Sequence, residues 1–259
     1  MQTPCRCTAP PALVTYAHNT RGAQRRLRWL ARPAPSQVGA SVASVASVAS
    51  VAAGAAAAWR WRVGDESGIV DMVNIETAPS APGLWDDVVS AFGRRGDDPS
   101  WCWCQRFLGG SDAADNRAAL RLEVSTSAVP PGIVASVDGV PAGWTRVMPR
   151  RHLPGILANR ALRRVLADDD GAWWVTCFAV QQRVRGLGVA RALLDAAVSH
   201  AEQHGATSVE GHPVDTDALT AERTSASALF TGTLRVFVAA GFTEIGRTYP
   251  SRPVMRRDL

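Results

Sequence analysis

Lysine is absent from all 259 residues, and tyrosine occurs only at Tyr16 and Tyr249. Without lysine no P-loop can be written, because G-x-x-x-x-G-K-[ST] needs that ammonium on the bound phosphates. Cysteine is scarce and odd in number: Cys5, Cys7, Cys102, Cys104 and Cys177. Two of the spacings are C-x-C, where an internal bridge is strained. This is not the pattern of a disulfide framework, so reduced thiols in a cytoplasmic protein are expected. Long runs of Leu, Ile or Phe are missing too. The uncharged stretch SVASVASVASVAAGAAAA, residues 41–58, holds only Ser, Val, Ala and Gly. Such residues gain little in a bilayer, and the run starts too far from Met1 for a secretory signal, so no membrane association is expected. The net charge of +5 is confined to residues 1–71, which carry eight Arg against three acids; residues 72–259 balance twenty against twenty. A neutral domain offers no net basic face to displace phosphate counterions, which argues against a nucleic-acid partner.

The Ala/Ser/Val repeat divides the chain. Residues 1–71 read as a low-complexity extension, disordered or translated from upstream DNA, and residues 72–259 as one folded domain opening at Met72. Within it, APGLWDDVVSAFGRR shows helical spacing at Leu84, Val88, Val89 and Phe92. DNRAALRLEVS predicts a second helix with Asp115 as N-cap. GIVASVDGVPAGWTRV predicts a hairpin turning at Asp138-Gly139. Then follow a strand (AWWVTCFAV), a long helix ending at Gly205, a strand (TSVEGHP), a short helix (TLRVFVAAG) and two closing strands (FTEIGRTY, RPVMRRDL). Antiparallel pairs at both ends flank one central β-α-β unit, so the expected fold class is α/β in the α+β sense, a mixed and mostly antiparallel sheet.

The stretch WVTCFAVQQRVRGLGVARALL, residues 174–194, runs from strand through a turn into a helix. Unpaired N–H groups and the helix dipole at such a turn favour an anion. Gly186 and Gly188 allow a phosphate to approach the backbone, and Arg183 and Arg185 supply charged donors. A dinucleotide fingerprint is the competing reading, with Glu210 as the ribose-binding acid. It fails because Arg191 stands where the third Gly belongs, and because residues 181–185 separate the strand from Gly186.

Arg183-Val184-Arg185-Gly186-Leu187-Gly188 fits [QR]-x-x-G-x-[GA]. With its flanking strand and helix it resembles motif A of the GNAT superfamily of N-acetyltransferases. The Gly-Phe pair in VFVAAGF and the final strand pair resemble that family's closing half, and the likeness covers about residues 74–259. The resemblance implies a splayed strand pair with acetyl-CoA as co-substrate lying between them. The backbone of Phe178, Ala179 and Val180 would pair with pantetheine, and the amides from Arg185 through Gly186, Leu187, Gly188 and Val189 to Ala190 would hold the pyrophosphate. The acetyl group would pass directly to an amine of a small molecule or protein, through an oxyanion held by a backbone N–H near Val180. A homodimer is compatible with the family. Where many members have a proton-donating Tyr, this chain has Phe237. Tyr249 is the remaining phenol near the expected cleft, and Glu210 is the leading base, with His212 and Asp215 beside it. An acyl-CoA-binding module without catalysis is the alternative.

Other clusters invite chemistry and receive blander readings. SWCWCQRF lacks the second ligand pair a zinc site needs and reads as a half-buried strand or a cleft wall. Cys177 has no neighbouring His to make it a nucleophile. Trp144, Trp173 and Trp174 read as core or cleft lining. His200 and His204 share a helix face without a third ligand, and Asp168-Asp169-Asp170 reads as a solvated loop. No metal is expected.

Overall fold

The computed structural model describes residues 57–64, 70–109, 115–219 and 229–259. Expectations for residues 1–56 lie outside the described residues. One eight-stranded sheet organises the chain, in the order β1-β2-β3-β4-β5-β6-β8-β7. β1 (Ala57–Gly64) and β2 (Val70–Pro79) form an antiparallel pair, and β2 joins the hairpin of β3 (Gly132–Val137) and β4 (Val140–Pro149). The sheet therefore begins before Met72, where the sequence placed the opening of the domain. Alternation at Val73, Ile75 and Thr77 marks β2 as a strand that sequence reasoning overlooked. The β3–β4 turn is set by Asp138 and Gly139, at φ 50° and 76°. Two successive left-handed residues twist the connection the way the strands twist.

β5 (Ala172–Val180) lies at the centre and pairs antiparallel with β4 and parallel with β6 (Ser208–Gly211). Covered on both faces, it is apolar almost throughout, as buried strands are. Two closing strands, β7 (Thr243–Tyr249) and β8 (Arg252–Asp258), complete the sheet, with β8 beside β6. The fold is mixed and mostly antiparallel, with one β-α-β unit, as expected.

Helices cover both faces. α4 (Val189–Gln203) packs Val189, Leu193, Ala197 and Ala201 on one face, with Phe237 of α5 (Leu234–Ala239) in the same core. On the other face lie α1 (Trp85–Phe92) and α2 (Asn116–Thr126), around Trp85, Phe92, Trp103 and Trp144. Asp115 caps α2 by accepting from the Ala118 N–H at 2.8 Å. A stretch with no sequence signal, residues 150–166, folds into short turns including α3 (Pro154–Leu157), and packs Leu153, Ile156 and Leu162 on Trp174. No helix among the described residues is long and apolar enough to cross a membrane.

Candidate active site

The functional geometry begins where β5 and β6 part. Their ladder ends at Val175↔Gly211, while β5 runs on to Val180. At that point the β4–β5 register shifts: Arg146 pairs with Cys177 but Val147 with Val175. Thr176 is the extra residue, and this bulge bends β5 away from β6. Gln181 donates its N–H to Ala142 of β4 at 2.9 Å. Alternation along the strand then turns the N–H groups of Phe178 and Val180 the other way, into the wedge. Phe178 donates to the Phe230 carbonyl at 2.6 Å, and Val214 beyond β6 donates to Gly232 at 3.0 Å. Residues 229–233 thus bridge the far end of the wedge. Gly232 is required there: at φ 83°, a Cβ would lie 2.9 Å from the Phe178 ring.

A cleft of ≈ 1040 Å3 opens along this strand, and Phe178, Ala179 and Val180 form part of its lining. Among the described residues, five arginines line it, Arg94, Arg95, Arg106, Arg183 and Arg185, against one acid, Asp98. Such a surplus in a concave site attracts a polyanion. Arg183 is fixed by Gln181 Oε1 at 2.8 Å and the Pro141 carbonyl at 3.1 Å. Arg185 is exposed at the cleft edge.

The turn into α4 provides free donors. Gly188 caps the helix at φ 93° without a side-chain cap. Among the described residues, none accepts from the backbone N–H groups of Gly186, Gly188, Val189 or Ala190. Arg185 and Leu187 instead spend theirs inside the turn, on Gln182 and Val184 at 3.3 Å each. So four of the six expected amides are open. The Val189 side chain points into the core, and only Ala190 of the helix lines the cleft. At Gly186, φ 83°, the space a Cβ would enter is empty, which leaves room for a bulky group against the backbone.

The acid–base candidates lie elsewhere. Glu210 is fully buried and does not line the cleft; Arg150 holds it at 2.7 Å and Arg256 at 3.1 Å. His212 is pushed down to about 4 by burial and then by the neighbouring Arg252 charge. Because Arg252 can only donate to Nδ1, at 3.4 Å, the imidazole proton sits on Nε2 and goes to Thr248 Oγ1 at 2.7 Å. Asp215 is tied to Arg247 at 2.8 Å. Tyr249 is 66% exposed at the end of β7 and is not part of the cleft lining. Phe237 is fully buried, edge-on to Phe178 with ring centroids 6.2 Å apart, and packs over Gly211.

Three expectations are corrected by the structure. Cys104 and Cys177 form a disulfide, with Cα atoms 6.4 Å apart, while Cys102 stays a free thiol. The bridge joins residues 73 apart in sequence, beyond any local spacing rule, so the thiols are not all reduced as expected. SWCWCQRF is a series of turns rather than a strand, with Trp103 at φ 38° and Cys104 at φ 56°. It does form a wall of the cleft, through Trp101, Cys102, Cys104 and Arg106. Asp169 is also not merely solvated, since it accepts from Thr207, Ser208 and Arg256.

The model of the acetyltransferase (GNAT) family matches residues 99–221, just under half of the chain. Over those residues the chain is similar to the GNAT family. That similarity supports acyl-CoA-dependent acetyl transfer in general and specifies no acceptor. Among solved structures, the chain is 16% identical to the GNAT domain of S. lividans PAT, covering 78% of this chain and 97% of that one at a TM-score of 0.44. It is 15% identical to yncA from Salmonella typhimurium, a putative acetyltransferase solved with acetyl-CoA, over 71% and 94% at 0.41. The diaminobutyrate acetyltransferase EctA from Paenibacillus lautus, solved with its substrate and coenzyme A, is 13% identical over 71% and 94% at 0.40. Likenesses this distant carry nothing about substrate. No curated protein matches the chain.

Proposed function

We propose that the cleft binds acetyl-CoA and passes its acetyl group directly to the amine of a small molecule or protein. The observation that carries this reading is the turn that adjoins the cleft where Arg183, Arg185 and Ala190 line it. Gly186, Leu187, Gly188 and Val189 are not themselves part of the lining, but the turn has four open N–H groups and empty space over Gly186. Together these features fit a pyrophosphate, which needs dense donors and close backbone approach. The Val180 N–H, facing the wedge beyond the β5–β6 ladder, is the donor available to pantetheine or to the developing oxyanion. Phe178 offers less than the sequence implied, because Phe230 already accepts its N–H.

The acceptor amine must lose a proton before attack. Glu210 is unsuited to take it, because it is buried outside the cleft lining and Arg150 and Arg256 occupy its two carboxylate oxygens. His212 has both ring nitrogens engaged. Asp98 is the acid at hand, and the Ser100 hydroxyl and N–H lower its pKa. A carboxylate of lowered pKa is a weak base but a good electrostatic seat for an ammonium, so we assign Asp98 to acceptor binding and proton loss to solvent. Replacing it, as in Asp98→Asn, should raise the acceptor KM about 3–10-fold with kcat little changed. A thiolate is a good leaving group near neutral pH, the pKa of a cysteine thiol being ~8.5, so departure of CoA does not require a Tyr.

A second reading, binding without catalysis, is favoured by the buried Phe237, which offers no proton. Calorimetry of the full chain with acetyl-CoA, CoA and NAD, then acetyl-CoA turnover against a panel of amines, separates the two. Binding of both CoA species and not NAD, with acetylated product, is expected. Absence of CoA binding at sub-millimolar concentration would end both readings, and binding without turnover would leave the second. No membrane or nucleic-acid partner is proposed. The cytoplasmic assignment, which leaned on reduced thiols, and a homodimer are open to fractionation and sizing.

A further inference from the structure

The Cys104–Cys177 bridge sits where the catalytic geometry is made. Cys177 follows the Thr176 bulge on β5 and immediately precedes Phe178, whose N–H meets residues 229–233. Cys104 belongs to a wall, residues 99–109, that contains turns but no helix or strand. Both cysteines line the cleft, and Cys102 lines it beside them as a free thiol.

Other contacts hold the base of this wall. Trp103 packs on Phe92 and Trp85, with centroids 4.5 and 6.0 Å away, and donates its Nε1–H to Asp98 O at 2.8 Å. Cys104 accepts from Trp144 Nε1 at 3.3 Å. Yet Trp103 and Cys104 are successive non-glycine residues in the left-handed region. That conformation persists only where the surroundings enforce it. The disulfide is the covalent part of the enforcement, and it fixes the gap between wall and strand.

We propose that Cys104–Cys177 is a redox-cleavable clamp on the cleft wall, a thiol–disulfide exchange site for a dithiol reductant. One reductant thiolate attacks Sγ of the bridge, the S–S bond breaks, and the other cysteine leaves as a thiolate that takes a proton. The second reductant thiol then displaces the mixed disulfide, so the reductant is oxidised to its disulfide and the protein gains two thiols. The released wall relaxes at Trp103–Cys104 and widens the side of the cleft that carries Asp98 and Trp101. The acceptor side is thereby altered while the pyrophosphate turn, on the far side of β5, is not. The inference rests on the acetyl-transfer reading for its kinetic arm only.

The test uses the full chain purified without reductant, alkylated and mapped by peptide mass, before and after dithiothreitol. A linked Cys104–Cys177 peptide is expected, lost on reduction. Hydrogen exchange in residues 99–109 should then rise at least about threefold, with the α4 turn unchanged. The acceptor KM should shift about threefold or more, against an acetyl-CoA Kd within about twofold. Cys104→Ser should match the reduced state with or without dithiothreitol. A missing linked peptide, or equal exchange in the wall before and after reduction, overturns the clamp. So does a uniform rise in exchange across the domain, which marks a bridge that serves stability alone. Because mapping and exchange need no substrate, they decide the clamp even if the chain acetylates nothing.

Discussion

At the scale of single residues, the structure separates groups that hold charge from groups that could move protons. Glu210, read from sequence as the base, completes a buried cluster with Arg150 and Arg256, and Arg150 also reaches the Ala167 and Asp169 carbonyls at 2.7 and 3.0 Å. Removing one member of such a set strands a buried charge, at a cost of about 3–5 kcal/mol. Glu210→Gln should therefore lower the unfolding free energy by roughly that amount, in denaturant melts. Below its melting point it should keep wild-type kcat; a large fall in kcat of folded protein would restore the base. His200 makes a second prediction. Burial, then the charge of His204, lowers it to about 4, and its Nε2 contacts the Pro130 carbonyl at 3.0 Å. A histidine whose folded pKa lies below the unfolded value of 6.5 adds nothing above that pH. As pH falls from 6.5 toward 4 the unfolded chain takes the proton and the folded chain does not, so stability is lost across that window, up to about 3 kcal/mol. His200→Gln should flatten the dependence of melting temperature on pH between those limits, and an unchanged slope would refute the assignment.

At the scale of elements, what could be read was what local chemistry writes. The Asp138-Gly139 turn, the Asp115 cap and the strand–turn–helix at 174–194 each need only neighbouring residues, and each is where the sequence put it. The Cys104–Cys177 bridge, the wall at 99–109 and the packing of 150–166 on Trp174 depend on segments distant in sequence, and no spacing announces them. The site was legible to the same degree. Its anion end lies in one contiguous stretch, whereas Asp98, Trp101 and Phe230 reach the cleft only through the fold. The α4 turn is accordingly the sharpest element-level test. Gly186→Val meets no neighbour, so its stability cost is the left-handed backbone alone, about 1–3 kcal/mol. Its side chain occupies the empty approach to the open amides, and calorimetry should show acetyl-CoA affinity falling more than about tenfold while the protein remains folded. Wild-type affinity would sink the pyrophosphate assignment.

For the whole molecule, the issue is how far the domain extends. Reading Met72 as its opening made everything earlier dispensable. The sheet contradicts part of that, since β1 pairs with β2 from Ala57↔Thr77 to Gly64↔Val70. β2 does not depend on β1 for its place: Ile75 pairs with Val137 of β3 and is fully buried on the α4 side of the sheet. A chain beginning at residue 72 should thus still fold and bind acetyl-CoA as the full chain does, because the cleft lies at β5, three strands away in the sheet order. What it loses is the pairing of β1, so that β2 replaces β1 as the edge strand of the sheet. We expect the shortened chain to melt about 3–6 °C lower, the shift produced by 1–2 kcal/mol in a domain this size. A chain beginning at residue 57 should keep the full chain's melting temperature. Equal melting for the two chains would make β1 dispensable and return the boundary to Met72.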